Sequence, residues 1–172
     1  MRSLLRQSLR VARRVARVLG ARHAPPLREA FSYRSDPSVP RFDDDFPLLV
    51  IDADCVLCSS FAAFVLRHDR GRRFGLLAAR SQTGAALFKH FGLRADPFET
   101  MLLIENGCAY VRSEAAIRVF SGLGFPWNLL RGGRALPFGV REAIYGALSR
   151  SSSLARLVGK RDAAVDAFRH DR

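Results

Sequence analysis

The chain has 172 residues and is 48% hydrophobic, so it can form one domain of ordinary size with a substantial core and leave terminal segments outside it. Its three cysteines are too few for the disulfide framework of a small secreted protein, and it has no run of about twenty apolar residues to span a membrane. The formal net charge of +12 is concentrated near the start, because residues 1–41 hold ten arginines against only Glu29 and Asp36.

Residues 1–23 are predicted to form a basic amphipathic helix, with arginines on one side and leucines and valines on the other. The arginines of that side are Arg2, Arg6, Arg10, Arg13, Arg14 and Arg17. An arginine-rich, acid-poor start is typical of an organellar transit peptide, and because Ser and Thr are sparse we predict a mitochondrial destination, with the plastid as alternative. A helix lying on an anionic membrane or on RNA would share the pattern. No aromatic residues alternate with the arginines to stack on bases, so we favour targeting.

Residues 24–45 are rich in proline, serine and aspartate and are predicted to form an irregular linker to a domain that covers residues 46–162. That domain opens with an unbroken apolar run at 47–51, as expected of a strand covered on both faces. From Ser59 onward, apolar residues recur at spacings of three and four, which predicts a helix with one apolar face. A C-x-x-C pair therefore has Cys55 at the mouth of the helix and Cys58 one turn inside it.

This position favours redox chemistry for the pair. Unpaired N–H groups in the first helical turn and the helix dipole stabilise a thiolate, so we expect the pKa of Cys55 to fall below the free value of about 8.5. A nucleophilic Cys55 with Cys58 as resolving thiol is one hypothesis. Two buried structural cysteines are another. A zinc site is a third, although the remaining chain offers only Cys108 and four scattered histidines as further ligands of these types.

The rest of the domain predicts a mixed α/β order. A strand at 73–79 is followed by a helix at 81–92, and strands at 100–105 and 108–111 flank the hairpin signal Asn106-Gly107. A helix begins near Ser113, which completes the order β-α-β-α-β-β-α of a thioredoxin-like domain. Further helices follow from residue 125, with apolar stripes that include Trp127, Val140 and Ile144 and are expected to join the core. Residues 163–172 are predicted to be a basic tail.

Several motifs in register resemble the DCC family of thiol-disulfide oxidoreductases, a thioredoxin-like group named for an Asp-Cys-x-x-Cys motif. The resemblance covers residues 47–162 and does not include the basic N-terminus. The matching pieces are IDADCVLC (51–58), FVLRHDRGRRFGLLAARS (64–81), LLIENGCAYVRSEAAIRVF (102–120), GLGFPWNLL (122–130), LPFGVREAIYGALSR (136–150) and GKRD (159–162).

The resemblance implies a redox-active pair at Cys55 and Cys58, preceded by Asp54 as a candidate base. Asp54 could equally cap the helix, because aspartate is a preferred N-cap residue. No cofactor is implied, and the implied partner is a disulfide-containing protein or a glutathione-like thiol. The chain departs from the family at Ala53, where glycine is common, and Glu99-Thr100 stand where thioredoxins usually have a cis-proline.

Two functions of different classes follow from these observations. The first is a dithiol oxidoreductase that exchanges disulfides with a partner. The alternative is a non-catalytic thioredoxin-like accessory subunit of a large mitochondrial assembly, such as a respiratory complex or a ribosome, because a fold alone does not establish activity. The positive charge at both ends and the missing proline support this alternative.

Overall fold

A computed structural model describes residues 26–52, 55–94 and 100–149. These residues contain four strands, four α-helices and two 3-10 helices in the order that the sequence predicts. The strands are β1 (Leu48–Ile51), β2 (Gly75–Ala78), β3 (Leu102–Glu105) and β4 (Cys108–Val111). The α-helices are α1 (Val56–His68), α2 (Gln82–His90), α3 (Arg112–Gly122) and α4 (Phe138–Ser149), and the 3-10 helices are Ser32–Ser35 and Trp127–Ala135. The predicted basic helix at 1–23, the residue Asp54 and the tail at 163–172 lie outside the described residues.

The four strands form one mixed sheet in the order β2-β1-β3-β4. β1 and β2 are parallel, with Val50 opposite Leu77, and α1 makes the crossover between them. β3 runs antiparallel to β1, and β4 runs antiparallel to β3 after a tight turn at Asn106-Gly107. Both turn residues have positive φ, as that hairpin requires. The predicted thioredoxin-like α/β fold is confirmed.

Both faces of the sheet are covered, which explains the unbroken apolar run of β1. Leu48 and Val50 face one core cluster, in which α2 contributes Leu87 and Phe88. Leu49 and Ile51 belong to a second cluster on the other face, with apolar residues of α1 and α3. All four residues of β1 are buried, because alternate side chains enter opposite layers.

The described part of the predicted linker, residues 26–45, is called the strap here. It is irregular apart from its 3-10 helix, as predicted, but it also contributes to the core. Tyr33 is 2% exposed and its ring lies 5.3 Å from that of Phe42 and 6.3 Å from that of Phe91. Its hydroxyl donates a hydrogen bond of 2.6 Å to Asp44, which also accepts two bonds of 2.8 Å from Arg34. The strap therefore belongs to the packed structure around the sheet.

The helices after residue 125 join the core through only some of their apolar residues. Trp127 packs edge-on against Phe64, with ring centroids 4.8 Å apart, and Tyr145 packs against the cluster on the same face. Val140 and Ile144 are instead 45% and 46% exposed, so the expectation that they join the core is wrong. The reason is that α4 also turns a charged side chain inward, the buried Arg141. None of the described helices is long and apolar enough to cross a membrane.

Candidate functional site

Cys55 is the N-cap residue of α1, at the carboxyl end of β1. Its backbone is extended, and its Sγ accepts a hydrogen bond from the backbone N–H of Cys58 at 3.4 Å. This N–H is one of the donors that a helix leaves unpaired in its first turn. A donor and the positive end of the helix dipole both stabilise negative charge on this sulfur. The predicted position of Cys55 at the mouth of the helix is confirmed.

Cys58 lies one turn inside α1 and is partly buried against the core. Its pKa is raised well above that of an ordinary thiol, first by its hydrogen bond to Cys55 and then by burial. The negative charge of Asp52 raises this pKa further, while a hydrogen bond from the Asp52 backbone amide opposes the shift. The two cysteines therefore differ. The start of the helix favours the thiolate form of Cys55, whereas the surroundings of Cys58 favour its protonated form.

Asp52 is an acidic residue of this site that the sequence pattern does not predict. It follows β1 directly, is 7% exposed, and its Oδ1 accepts a hydrogen bond of 3.2 Å from Arg80 Nε. Arg80 follows β2, so the parallel pairing of β1 and β2 brings the two residues to the same end of the sheet. The sequence feature that could have identified Asp52 is its position immediately after a buried strand. Asp54 was predicted as the acidic residue, and it stays a prediction because it lies outside the described residues.

Thr100 and Tyr145 lie on another side of the dithiol. Thr100 precedes β3, whose start lies beside the end of β1 because the two strands are antiparallel. Tyr145 reaches the site from α4 and hydrogen-bonds to Thr100. Burial raises the pKa of Tyr145, and the nearby Cys58 raises it further, whereas the bond to Thr100 lowers it. The sequence held no local signal for Tyr145, which is separated from Cys58 by most of the domain.

The sequence also raises the possibility of a zinc site, with Cys108 as a further ligand. Cys108 opens β4, which β3 separates from β1, so the fold does not bring it to the dithiol. In the part of the chain that the structure describes, the three cysteines are free thiols. Within those same residues, no three His, Cys, Asp or Glu side chains are grouped as metal ligands would be.

Comparison with known proteins finds a family and two relatives that match this chain. Residues 49–155 match the family described as DCC1-like thiol-disulfide oxidoreductase. The uncharacterized protein YuxK of Bacillus subtilis is 34% identical over 104 residues, which are 60% of this chain and 76% of YuxK. A chloroplastic DCC family protein of Arabidopsis thaliana is 31% identical over 88 residues, which are 51% of each protein. No solved structure shows a significant match to the chain.

Proposed function

Because the chain belongs to the DCC1-like thiol-disulfide oxidoreductase family, we propose that it exchanges disulfides with a partner through Cys55 and Cys58. The family assignment supports a general thiol–disulfide redox function. The observation that carries the finer proposal is the hydrogen bond from the Cys58 amide to Cys55 Sγ at the start of α1. It provides a stabilised thiolate beside a second thiol that stays protonated, which is what two-step exchange requires.

In the first step, the Cys55 thiolate attacks one sulfur of a partner disulfide. A bond forms between Cys55 and that sulfur, and the partner's own S–S bond breaks, which releases the other partner sulfur as a thiolate. In the second step, Cys58 loses its proton and attacks Cys55 Sγ. The second partner thiolate leaves, so two electrons have passed from the dithiol to the partner, and both released thiolates take up protons.

The second step needs an acceptor for the Cys58 proton, because the pKa of this thiol is raised in the resting protein. Asp52 is buried, and among the described residues it is the carboxylate whose negative charge raises the pKa of Cys58. We therefore assign it the role of proton acceptor. Its ion pair with the exposed Arg80 holds the carboxylate at the end of β1.

Thiol titration of the full chain in glutathione buffers of defined ratio tests the proposal, with mass spectrometry locating each bond. Cys55 and Cys58 should interconvert reversibly between dithiol and disulfide. Cys55→Ser should abolish exchange, and Cys58→Ser should accumulate a mixed disulfide at Cys55. Cys108→Ser is the matched control and should behave as the parent protein. A pair that stays reduced and unreactive until the protein unfolds would show that the cysteines are structural.

The partner and the compartment are part of the same proposal. We infer a disulfide-containing protein or a glutathione-like thiol as partner, and organellar import for residues 1–23. The chloroplastic relative supports the plastid alternative, and no comparison supports a mitochondrial destination. Residues 1–45 fused to a fluorescent protein should enter isolated chloroplasts, and Arg13→Glu with Arg14→Glu should prevent entry. Exclusion of the unsubstituted fusion from chloroplasts would contradict the plastid alternative.

A further inference from the structure

β2 is an outer strand of the sheet, and its free edge offers main-chain hydrogen-bonding groups. The amides of Gly75 and Ala79 donate toward β1, to Pro47 and Ile51. Because amides along a strand alternate in direction, those of Leu76 and Ala78 point away from β1. Among the described residues no hydrogen bond involves either outward amide, whereas the Ala78 carbonyl already accepts bonds from the Ser81 amide at 3.0 Å and the Ser81 hydroxyl at 2.7 Å. Such an edge is a template for pairing with another extended segment.

A groove of about 520 Å³ runs beside this edge. Its walls combine apolar side chains with two arginines: Phe46, Phe74, Leu76, Arg41 and Arg72 are among the lining residues. Phe46 is 59% exposed, although it lies only two positions before the buried β1. One carboxylate, that of Asp43, also lines the groove. The groove therefore provides an apolar surface next to unpaired main-chain groups.

The last turn of α1 and the loop that leads into β2 make this end of the sheet basic. Arg67, Arg70, Arg72 and Arg73 are all exposed, and no ion pair involves any of them within the described residues. The acidic residue of the loop, Asp69, is engaged with the backbone, because its Oδ2 accepts a bond of 2.9 Å from the Phe74 amide. This bond fixes the turn that carries Arg72 and Arg73. Of these four arginines, Arg72 lines the groove, and the other three precede or follow it closely in the chain without an ion pair among the described residues.

We infer that the β2 edge and its groove bind an extended acidic segment of a partner protein, which pairs with β2 as a fifth strand. Strand addition uses the free main-chain groups, and side chains of the added segment fill the groove. Acidic side chains complement the arginines. A second copy of this chain is a poor occupant, because it would bring the same four arginines to the same edge. This inference concerns a surface away from the dithiol and does not depend on redox activity.

The probe is a fluorescein-labelled octapeptide in which valine alternates with glutamate, titrated with the full chain by fluorescence anisotropy. We expect saturable binding that weakens as salt is raised, because exposed charges are screened. The same peptide with every second amide N-methylated should not bind, because it cannot pair along a strand. A peptide in which lysine replaces glutamate should not bind either.

Variants of the groove separate this site from the other basic regions of the chain. Arg72→Glu with Arg73→Glu should weaken binding at least about tenfold, whereas Arg131→Glu, an exposed arginine elsewhere, should not change it. Phe46→Ala should also weaken binding, with Phe125→Ala as its exposed control. Equal binding by the parent and the double variant would overturn the inference. So would binding of the N-methylated peptide, or sedimentation with phosphatidylglycerol vesicles in the absence of peptide binding.

Discussion

Cys55 caps α1 from outside, whereas Cys58 lies one turn inside the helix and is partly buried. The hydrogen bond that the Cys58 backbone donates to Cys55 stabilises charge on the outer sulfur. The inner thiol has its pKa raised by its own bond to Cys55 and by burial. The bond to Cys55 and burial therefore favour the protonated form of Cys58, and the proposed resolving step requires a group that takes up its proton.

Asp52→Asn should slow the resolving step of exchange at neutral pH, by about a hundredfold if Asp52 accepts the Cys58 proton directly. Loss of the carboxylate also removes a charge that raises the pKa of Cys58, so the rate of the variant should begin to rise at lower pH. Rapid mixing of the Asp52→Asn protein with a disulfide substrate, followed over pH 6–10, measures both effects.

The matched control for this prediction is Asp54→Asn. If Asp52 is the acceptor, Asp54→Asn should leave the resolving step nearly unchanged. A large loss of rate in Asp54→Asn with none in Asp52→Asn would instead support the sequence-based choice of Asp54. The variants thus distinguish two carboxylates that are only two positions apart.

At the scale of elements, a buried ring and a polar cluster at His90 hold the strap to the rest of the domain, and a second polar cluster joins two parts of the strap to each other. Tyr33 packs among aromatic rings and donates to Asp44. Farther along, His90 of α2 bonds to Asp36 at 2.6 Å through Nδ1 and to Ser32 at 3.1 Å through Nε2. These contacts join the strap to α2, which covers one face of the sheet.

Tyr33→Ala should lower the free energy of unfolding by about 3 kcal/mol, because it removes a buried aromatic ring and leaves a cavity. Tyr33→Phe keeps the ring and loses only the bond to Asp44, so we expect a loss of about 1 kcal/mol. Urea unfolding of the full chain measures both values. Equal and small losses would show that the strap adds little to the stability of the domain.

A second feature at this scale joins α3 to the helices that follow it. Glu114 of α3 is buried and binds three arginines: Arg118 of the same helix at 3.0 Å, Arg134 at 3.3 Å and Arg141 at 3.0 Å. Arg134 and Arg141 belong to the 3-10 helix at Trp127–Ala135 and to α4. One carboxylate thus forms ion pairs with three consecutive elements, the last of which also carries Tyr145.

Glu114→Gln should destabilise the protein by about 3 kcal/mol or more, because the buried Arg141 would lose its balancing charge. Glu105→Gln is the control: its carboxylate also binds Arg118, but both partners are partly exposed, so we expect a loss of about 1 kcal/mol at most. Thermal or urea unfolding of both variants provides the comparison. Equal effects would contradict the central role of Glu114.

For the whole molecule, acid should weaken attachment of the strap. Hydrogen bonds from Arg34 hold the pKa of Asp44 below its usual range, and bonds from Ser38 and His90 do the same for Asp36. A carboxyl with a lowered folded pKa stabilises the protein above its unfolded pKa of about 3.9, and this contribution disappears as pH falls through the folded value.

Stability measured by urea unfolding should therefore decrease below about pH 4 in the parent protein. Asp44→Asn should be less stable at pH 6 and should lose less on acidification. Asp43→Asn is the control, because this exposed carboxylate accepts a bond only from the Asp45 amide among the hydrogen bonds of the strap. An acid response of Asp44→Asn as steep as that of the parent would contradict the assignment.

The sequence by itself determined the elements and their order, because each depends on neighbouring residues. An apolar run predicted β1, Asn106-Gly107 predicted the hairpin, and the apolar period that begins after Ser59 placed Cys55 at the mouth of a helix. The periods of strands and helices span only a few positions, so a single stretch of sequence contains the whole signal. The family resemblance implied a redox function for Cys55 and Cys58.

Only the tertiary structure decided which distant side chains complete the sites. Asp52 meets Arg80 from 28 positions away, Glu114 meets Arg141 from 27, and His90 meets Asp36 from 54. Tyr145 reaches Cys58 only because α4 packs across α3. Sheet order and helix packing produce these contacts, and the local periodicity of the sequence does not predict them. The same physical reason explains why Tyr33, in a stretch with the composition of a linker, is part of the core.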